Sequence, residues 1–114
     1  MEFRDIAGRT AAENSARIRE RVMRARQMQT ARFTGTDLRF NSDMKAADVE
    51  RYCTLDDKEK RFMERMFTSM QLSARGYHRI IKVARTIADL EGNSRITEGH
   101  LAEAICYRQT EVLK

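Results

Sequence analysis

Residues Leu72–Gly92 read LSARGYHRIIKVARTIADLEG, and this stretch decides the fold class. It has a start and a stop. Ser73 suits an N-cap, because its hydroxyl can accept from an amide of the first turn. Gly92-Asn93 supplies the left-handed stop that ends many helices. Between them Ile80, Ile81, Ala84, Ile87 and Ala88 recur at helical spacing and predict a core-facing stripe. Arg75, His78, Arg79, Lys82, Arg85 and Thr86 are left for the other side. The prediction is one helix from about Ser73 to Glu91.

Working outward, the rest of the chain agrees. It has 114 residues and no proline, with only 5 glycines. So few breakers argue against many short strands joined by turns. Before the central helix, Phe62, Met63, Met66, Phe67 and Met70 predict another helix, with Thr54 as its N-cap and Asp56 and Asp57 in its first turn. Core packing is the expected role of that Met-rich stripe, rather than an adaptable binding face. A short helix over about 46–53 carries Ala47, Val49 and Cys53. Residues 34–45, TGTDLRFNSDMK, read as a loop rich in Thr, Gly, Asp and Asn. After the central helix, Thr97 caps a last helix with Leu101, Ala104, Ile105 and Arg108 at helical spacing. The expectation is an all-α bundle of about five helices and a single domain over 1–114.

The first helix, from about Ala11 or Ser15 to Phe33, sets Ile18, Val22, Ala25 and Met28 along one stripe. Arg17, Arg19, Arg21, Arg24 and Arg26 fill its other faces. Over the whole chain 22 Lys and Arg oppose 17 Asp and Glu, a net charge of +5. Residues 1–39 hold nine Arg against five acids, so most of the excess lies there. Two readings of these arginines stay open. One is a solvated helix face; the other is a surface for nucleic acid or a neighbouring subunit, with Arg17, Arg21 and Arg24 as candidates.

Enzyme chemistry is hard to find. There is no phosphate loop, no GxGxxG, no HExxH and no GxSxG. Cys53 and Cys106 stand apart and read as reduced, core-type residues, and no spacing suggests a metal. His100 falls in the first turn of the last helix and reads as a surface or capping group. No apolar run approaches the roughly 18–20 residues of a membrane span, and no signal peptide is visible. These points suggest the cytoplasm and no membrane partner. Arg75 is the exception worth weighing. At the second position of a helix it stands beside free amides, where an anion is favoured. Arg79 lies one turn later on the same face. Pattern alone leaves both as either phosphate contacts or ordinary surface arginines.

The run SxR…RxxKVARTIADLEG resembles the C-terminal domain of the magnesium-chelatase-related AAA+ ATPases, on their competence-protein branch. SARIRERVMRARQMQ (Ser15–Gln29) resembles the Arg-rich helix that follows the ATPase core there. Asn41 and Met44, Cys53-Thr54-Leu55-Asp56, and ITEGHLAEAICYR (Ile96–Arg108) match further segments in order, so the resemblance covers roughly residues 13–108. It implies an AAA+ lid, with an Arg-rich helix over 11–33 and lid helices over 46–108. It also implies partners: an N-terminal AAA+ core on the same polypeptide, neighbouring subunits of a ring, and DNA for the parent. ATP with magnesium would be held by that core, and none tightly by this segment, which would not be an enzyme by itself. Arg75 would be the sensor-2 arginine reaching an ATP phosphate, with Arg79 as helper. Arg85, Thr86 and Asp89 belong to the family run and are expected in helix packing or subunit contacts. The implied work is DNA helicase or branch migration. The alternatives are the lid of a magnesium chelatase ATPase subunit and a free-standing basic helical module that binds nucleic acid.

Overall fold

The computed structural model describes the backbone of residues 3–113 and the side chains of residues 14–107. It contains α1 (Phe3–Arg32), α2 (Ala46–Tyr52), α3 (Asp57–Ser69), α4 (Ala74–Glu91) and α5 (Glu98–Leu113), with a 3-10 turn at Asn41–Asp43. Among the described residues there is no strand. The fold is the expected all-α bundle of five helices.

α4 is the centre of the bundle and touches α1, α2, α5 and the 3-10 turn. Its ends form as the sequence predicts. Ser73 Oγ accepts from the Gly76 amide at 3.0 Å. Gly92 closes the helix at φ 77°, and the Asn93 amide returns to the Ala88 carbonyl at 2.8 Å. Ile80, Ile81, Ala84 and Ala88 are buried, joined by Met63, Leu72, Ile96 and Leu101 from the flanking segments. Ile87 is half-buried against that core.

Several local readings are corrected. α1 begins at Phe3, well before Ala11; residues 3–14 hold no proline, and one glycine, Gly8, is tolerated once a helix is running. The N-cap of α3 is Asp56, not Thr54; an acid there still suits the helix dipole. The loop over 34–45 contains the 3-10 turn, closed when the Phe40 and Arg39 amides donate to the Asp43 carboxylate at 3.0 and 3.1 Å. Those two hydrogen bonds lower the Asp43 pKa. Phe67 lies at the edge of the α3 stripe and is exposed, as is Ala47 on α2. Cys53 is buried and Cys106 exposed, so only one of the two is core-type. His100 is buried, not on the surface. It does cap: the Thr97 amide donates to its Nδ1 at 3.0 Å, and Nε2 meets a Glu91 carboxylate oxygen at 2.6 Å. The Arg108 side chain lies outside the described residues.

The correction with most consequence is Arg85. It was assigned to the outer side of α4 and is 4% exposed. The reason is Asp89, one turn on and fully buried, which gives the guanidinium a partner inside.

Candidate functional site

α4 presents its cations along one side. Arg75, its second residue, is exposed, and so is Arg79 a turn later. Lys82 follows, half-buried, donating from Nζ to the Met44 carbonyl at 3.3 Å. These three residues stand in an open groove of about 590 Å³. Its wall is apolar, made by Val83, Ile87 and Leu90, with Tyr107 of α5 across from them. Among the described residues no Asp or Glu lines it. Three cations along one groove give a positive potential over an apolar floor, which suits an anion. Gly76 matters to this end of α4: a Cβ there would sit 3.3 Å from Ser73 Oγ, crowding the cap that starts the helix.

Beneath the groove lies a polar cluster that the sequence did not reveal as one. The Asp89 carboxylate is completely buried and accepts four hydrogen bonds. Arg32 donates to Oδ2 from Nη1 at 2.9 Å and to Oδ1 from Nη2 at 2.7 Å. Asn41 Nδ2 donates to Oδ2 at 2.8 Å, and Arg85 Nε to Oδ1 at 3.1 Å. Arg32 Nη1 also donates to Asn41 Oδ1, and the Asn41 amide to Gln29 Oε1 at 2.9 Å. Arg85 spends its remaining donors on the Asn93 and Ser94 carbonyls just past the end of α4. Burial pushes the Arg85 pKa down and Asp89 opposes it. No buried polar side-chain atom among the described residues is left without a partner, the condition under which a buried ionic cluster is tolerated.

This cluster positions the groove. Thr86 Oγ1 accepts from Asn41 Nδ2 at 3.1 Å and donates to the Lys82 carbonyl, yet Thr86 also lines the groove. Ser42, next to Asn41, lines it too. Arg32, Asn41 and Asp89 thus tie α1 and the 3-10 turn to the helix that carries Arg75 and Arg79. The expected packing role of Arg85, Thr86 and Asp89 is what the structure has. The i,i+4 pair Arg85–Asp89 was visible in the sequence. Arg32, 57 residues away from Asp89, left no local signal.

The other candidates lie elsewhere. Arg17, Arg21 and Arg24 are exposed on α1 and do not line the groove. The Arg24 side chain lies at the far end of α4, with Nη1 3.5 Å from where a Gly92 Cβ would be. A cation there faces the helix C-terminus, its favourable end. Among the described residues no group of three or more His, Cys, Asp or Glu is placed to hold a metal ion. No helix of the described residues is long and apolar enough to cross a membrane.

Residues 12–108 match the family described as magnesium chelatase, subunit ChlI C-terminal. The chain belongs to this magnesium chelatase C-terminal family. It is 44% identical over 96 residues to the competence protein ComM of Haemophilus influenzae, covering 84% of this chain and 18% of that protein. It is 35% identical over 101 residues to the YifB proteins of Salmonella typhimurium and Escherichia coli, covering 89% of this chain and 19% of each. The chain therefore spans about a fifth of the length of these relatives. The SxR…RxxKVARTIADLEG run of this magnesium chelatase C-terminal domain is α4, the helix that bears both the cationic groove and the buried Asp89.

Proposed function

We propose that this chain is the helical lid of a ComM-like, magnesium-chelatase-related AAA+ ATPase, with Arg75 as the contact to an ATP phosphate. The nucleotide and its magnesium would be bound by an AAA+ core preceding the lid on the same polypeptide. The observation that carries the reading is the cationic groove: Arg75, at the second position of α4, is exposed in it, with Arg79 on the same side. A guanidinium at the second position of a helix pairs well with phosphate oxygens. Arg79 supports it one turn on. The lid by itself is not a catalyst. When the γ-phosphate leaves, the Arg75 contact is lost and the lid is free to rotate on its core. In a ring, that rotation moves neighbouring subunits and would serve DNA helicase or branch-migration work. The 44% identity to a competence protein favours this parent over a magnesium-inserting one.

The test is Arg75→Ala in the full-length parent, with ATP affinity and DNA-stimulated ATP turnover measured beside the unaltered protein. Turnover is expected to fall about a hundredfold, the loss typical of removing one charge-stabilising donor. The thermal midpoint should not move, because Arg75 is exposed. Unchanged turnover would sink the phosphate-contact role and favour a free-standing nucleic-acid module.

A further inference from the structure

α1 is joined to the bundle in a different way from the other helices. α2, α3, α4 and α5 each send buried residues into one continuous apolar core, Val49, Met63, Ala84 and Leu101 among them. Among the described residues α1 sends none; that core begins at Phe33, one residue past its end. α1 packs chiefly on α4. Its contact face holds Ala25 and Gln29, both buried, and Val22, Met28 and Arg32, half-buried. So short an apolar stripe removes little surface from water. Polar contacts therefore carry much of the docking. Arg32 forks onto both oxygens of Asp89, and Gln29 Oε1 accepts from the Asn41 amide.

Opening that joint strands no buried charge. Without Arg32, Asp89 keeps Arg85 Nε at 3.1 Å and Asn41 Nδ2 at 2.8 Å. The Arg85–Asp89 pair lies within α4, one turn apart, and is neutral as a whole. Arg85 also keeps the Asn93 and Ser94 carbonyls. Arg32, whose side chain is 13% exposed when docked, passes straight into water. Breaking a buried pair is strongly destabilising when the remaining charge is left alone; here a second guanidinium is already in place. Phe33 is seated edge to face on Tyr52 at 5.3 Å, so the chain stays fixed just beyond the joint and only the last turn of α1 has to give way. What does change is the 3-10 turn. Asn41 loses the Arg32 donor at Oδ1 and the Gln29 acceptor at its amide. Ser42 beside it lines the cationic groove, and so does Thr86, which accepts from Asn41 Nδ2.

We propose that α1 is a latched arm: residues 14–32 leave the bundle as a unit when Arg32 parts from Asp89, with α2, α3, α4 and α5 still folded. The seated arm steadies the Asn41–Asp43 turn and, through it, one wall of the groove. Arm and groove are thereby linked, and a ligand that prefers one state of the groove shifts the arm. The latch does not depend on Arg75 or on a nucleotide, so its failure and that of the phosphate-contact reading are separable.

Hydrogen exchange of the 114-residue chain, read by mass spectrometry, tests it, with circular dichroism as the check on folding. In the unaltered chain residues 22–31 should exchange about tenfold or more faster than residues 80–88, as a unit that opens before the global transition does. R32A should speed exchange over 22–31 and over 39–44 by about tenfold to a hundredfold, the loss expected of hydrogen bonds between charged groups. Residues 80–88 and 100–105 should not change. R32K keeps the charge without the fork and should fall between the two. R75A should match the unaltered chain throughout. Equal protection of 22–31 and 80–88 in the unaltered chain would overturn the proposal, because α1 would then open only with the whole fold. So would an R32A chain in which 22–31 is unchanged, or in which every helix loses protection together. If R32A does not fold, R32K decides: a loss confined to 22–31 and 39–44 supports the arm, and a loss spread over all helices overturns it.

Discussion

Asp89 is the residue on which the arrangement of the bundle turns. Its carboxylate stands between two guanidiniums, Arg32 and Arg85, with Asn41 as a further donor. Bringing an ion inside costs several kcal/mol unless it is paired and hydrogen-bonded. Here both conditions hold, and both depend on Asp89. Asp89→Ala should destabilise the chain by about 3–5 kcal/mol, because it leaves two cations facing one another without their counter-ion. A urea unfolding midpoint measures this; a loss below about 1 kcal/mol would mean that water or Asn41 compensates. Cys53 is a second residue-scale case. Burial pushes its pKa up to about 11, so its thiol is neutral and shielded in the folded chain. Iodoacetamide at pH 8 should label Cys106 in the folded protein and Cys53 only on unfolding, as peptide mapping would show. The sign of the linkage follows. A pKa raised in the folded state gives stability that is fully present below about pH 9 and lost as pH rises through about 11. Stability should accordingly fall across that window, and should do so less in Cys53→Ala relative to its own neutral-pH value.

At the scale of elements, α4 is the helix whose ends are most sharply specified. Ser73 supplies an acceptor at one end and Gly92 a left-handed residue at the other. Ser73→Ala should cost about 1 kcal/mol, the usual value of a lost N-cap. Gly92→Ala should cost about 1–2 kcal/mol, because a Cβ is strained at that φ. Calorimetric midpoints of the two variants and of their double mutant would check both, and near-additivity is expected for sites so far apart. Ser73→Ala has a second consequence. It loosens the turn that holds Arg75, so under the proposed phosphate contact it should weaken nucleotide binding in the parent without touching the guanidinium. α1 is a different kind of element. Residues 25–33 are anchored by Ala25, Gln29, Arg32 and Phe33, and Phe33 meets Tyr52 edge to face at 5.3 Å. Residues 14–21 are held by helix propagation alone among the described contacts.

On the scale of the whole molecule, this division shapes the particle. Thirty residues of α-helix span about 45 Å at the ordinary rise, and the longest dimension is 55 Å. The radius of gyration is 16.9 Å, against about 13 Å for a compact domain of this size. A chain so elongated sets its cationic groove apart from its Arg-rich α1 end.

Much of this was legible from residues alone. A helix announces itself locally, through apolar spacing, a capping hydroxyl and a terminal glycine, so all five helices and both ends of α4 could be read. The exposed side of α4, with Arg75 and Arg79, followed from the same periodicity. Where the reading failed, the partner was distant. Arg85 looked like a solvent residue because charge usually stays in water. Only Asp89 beside it and the Asn93 and Ser94 carbonyls past the helix end make its burial tolerable, and Asp89 is held in turn by Arg32 and Asn41 from 57 and 48 residues away from it. Cys106 was misplaced, and of the surface and capping readings of His100 only the cap held, for a related reason: hydropathy does not record which side of a helix another element covers. The sequence by itself determined the helices, their caps and the basic excess, because these depend on neighbours within a turn or two. Tertiary structure alone decided which charges are buried and which surfaces are left open, because burial energies depend on groups that only folding brings together.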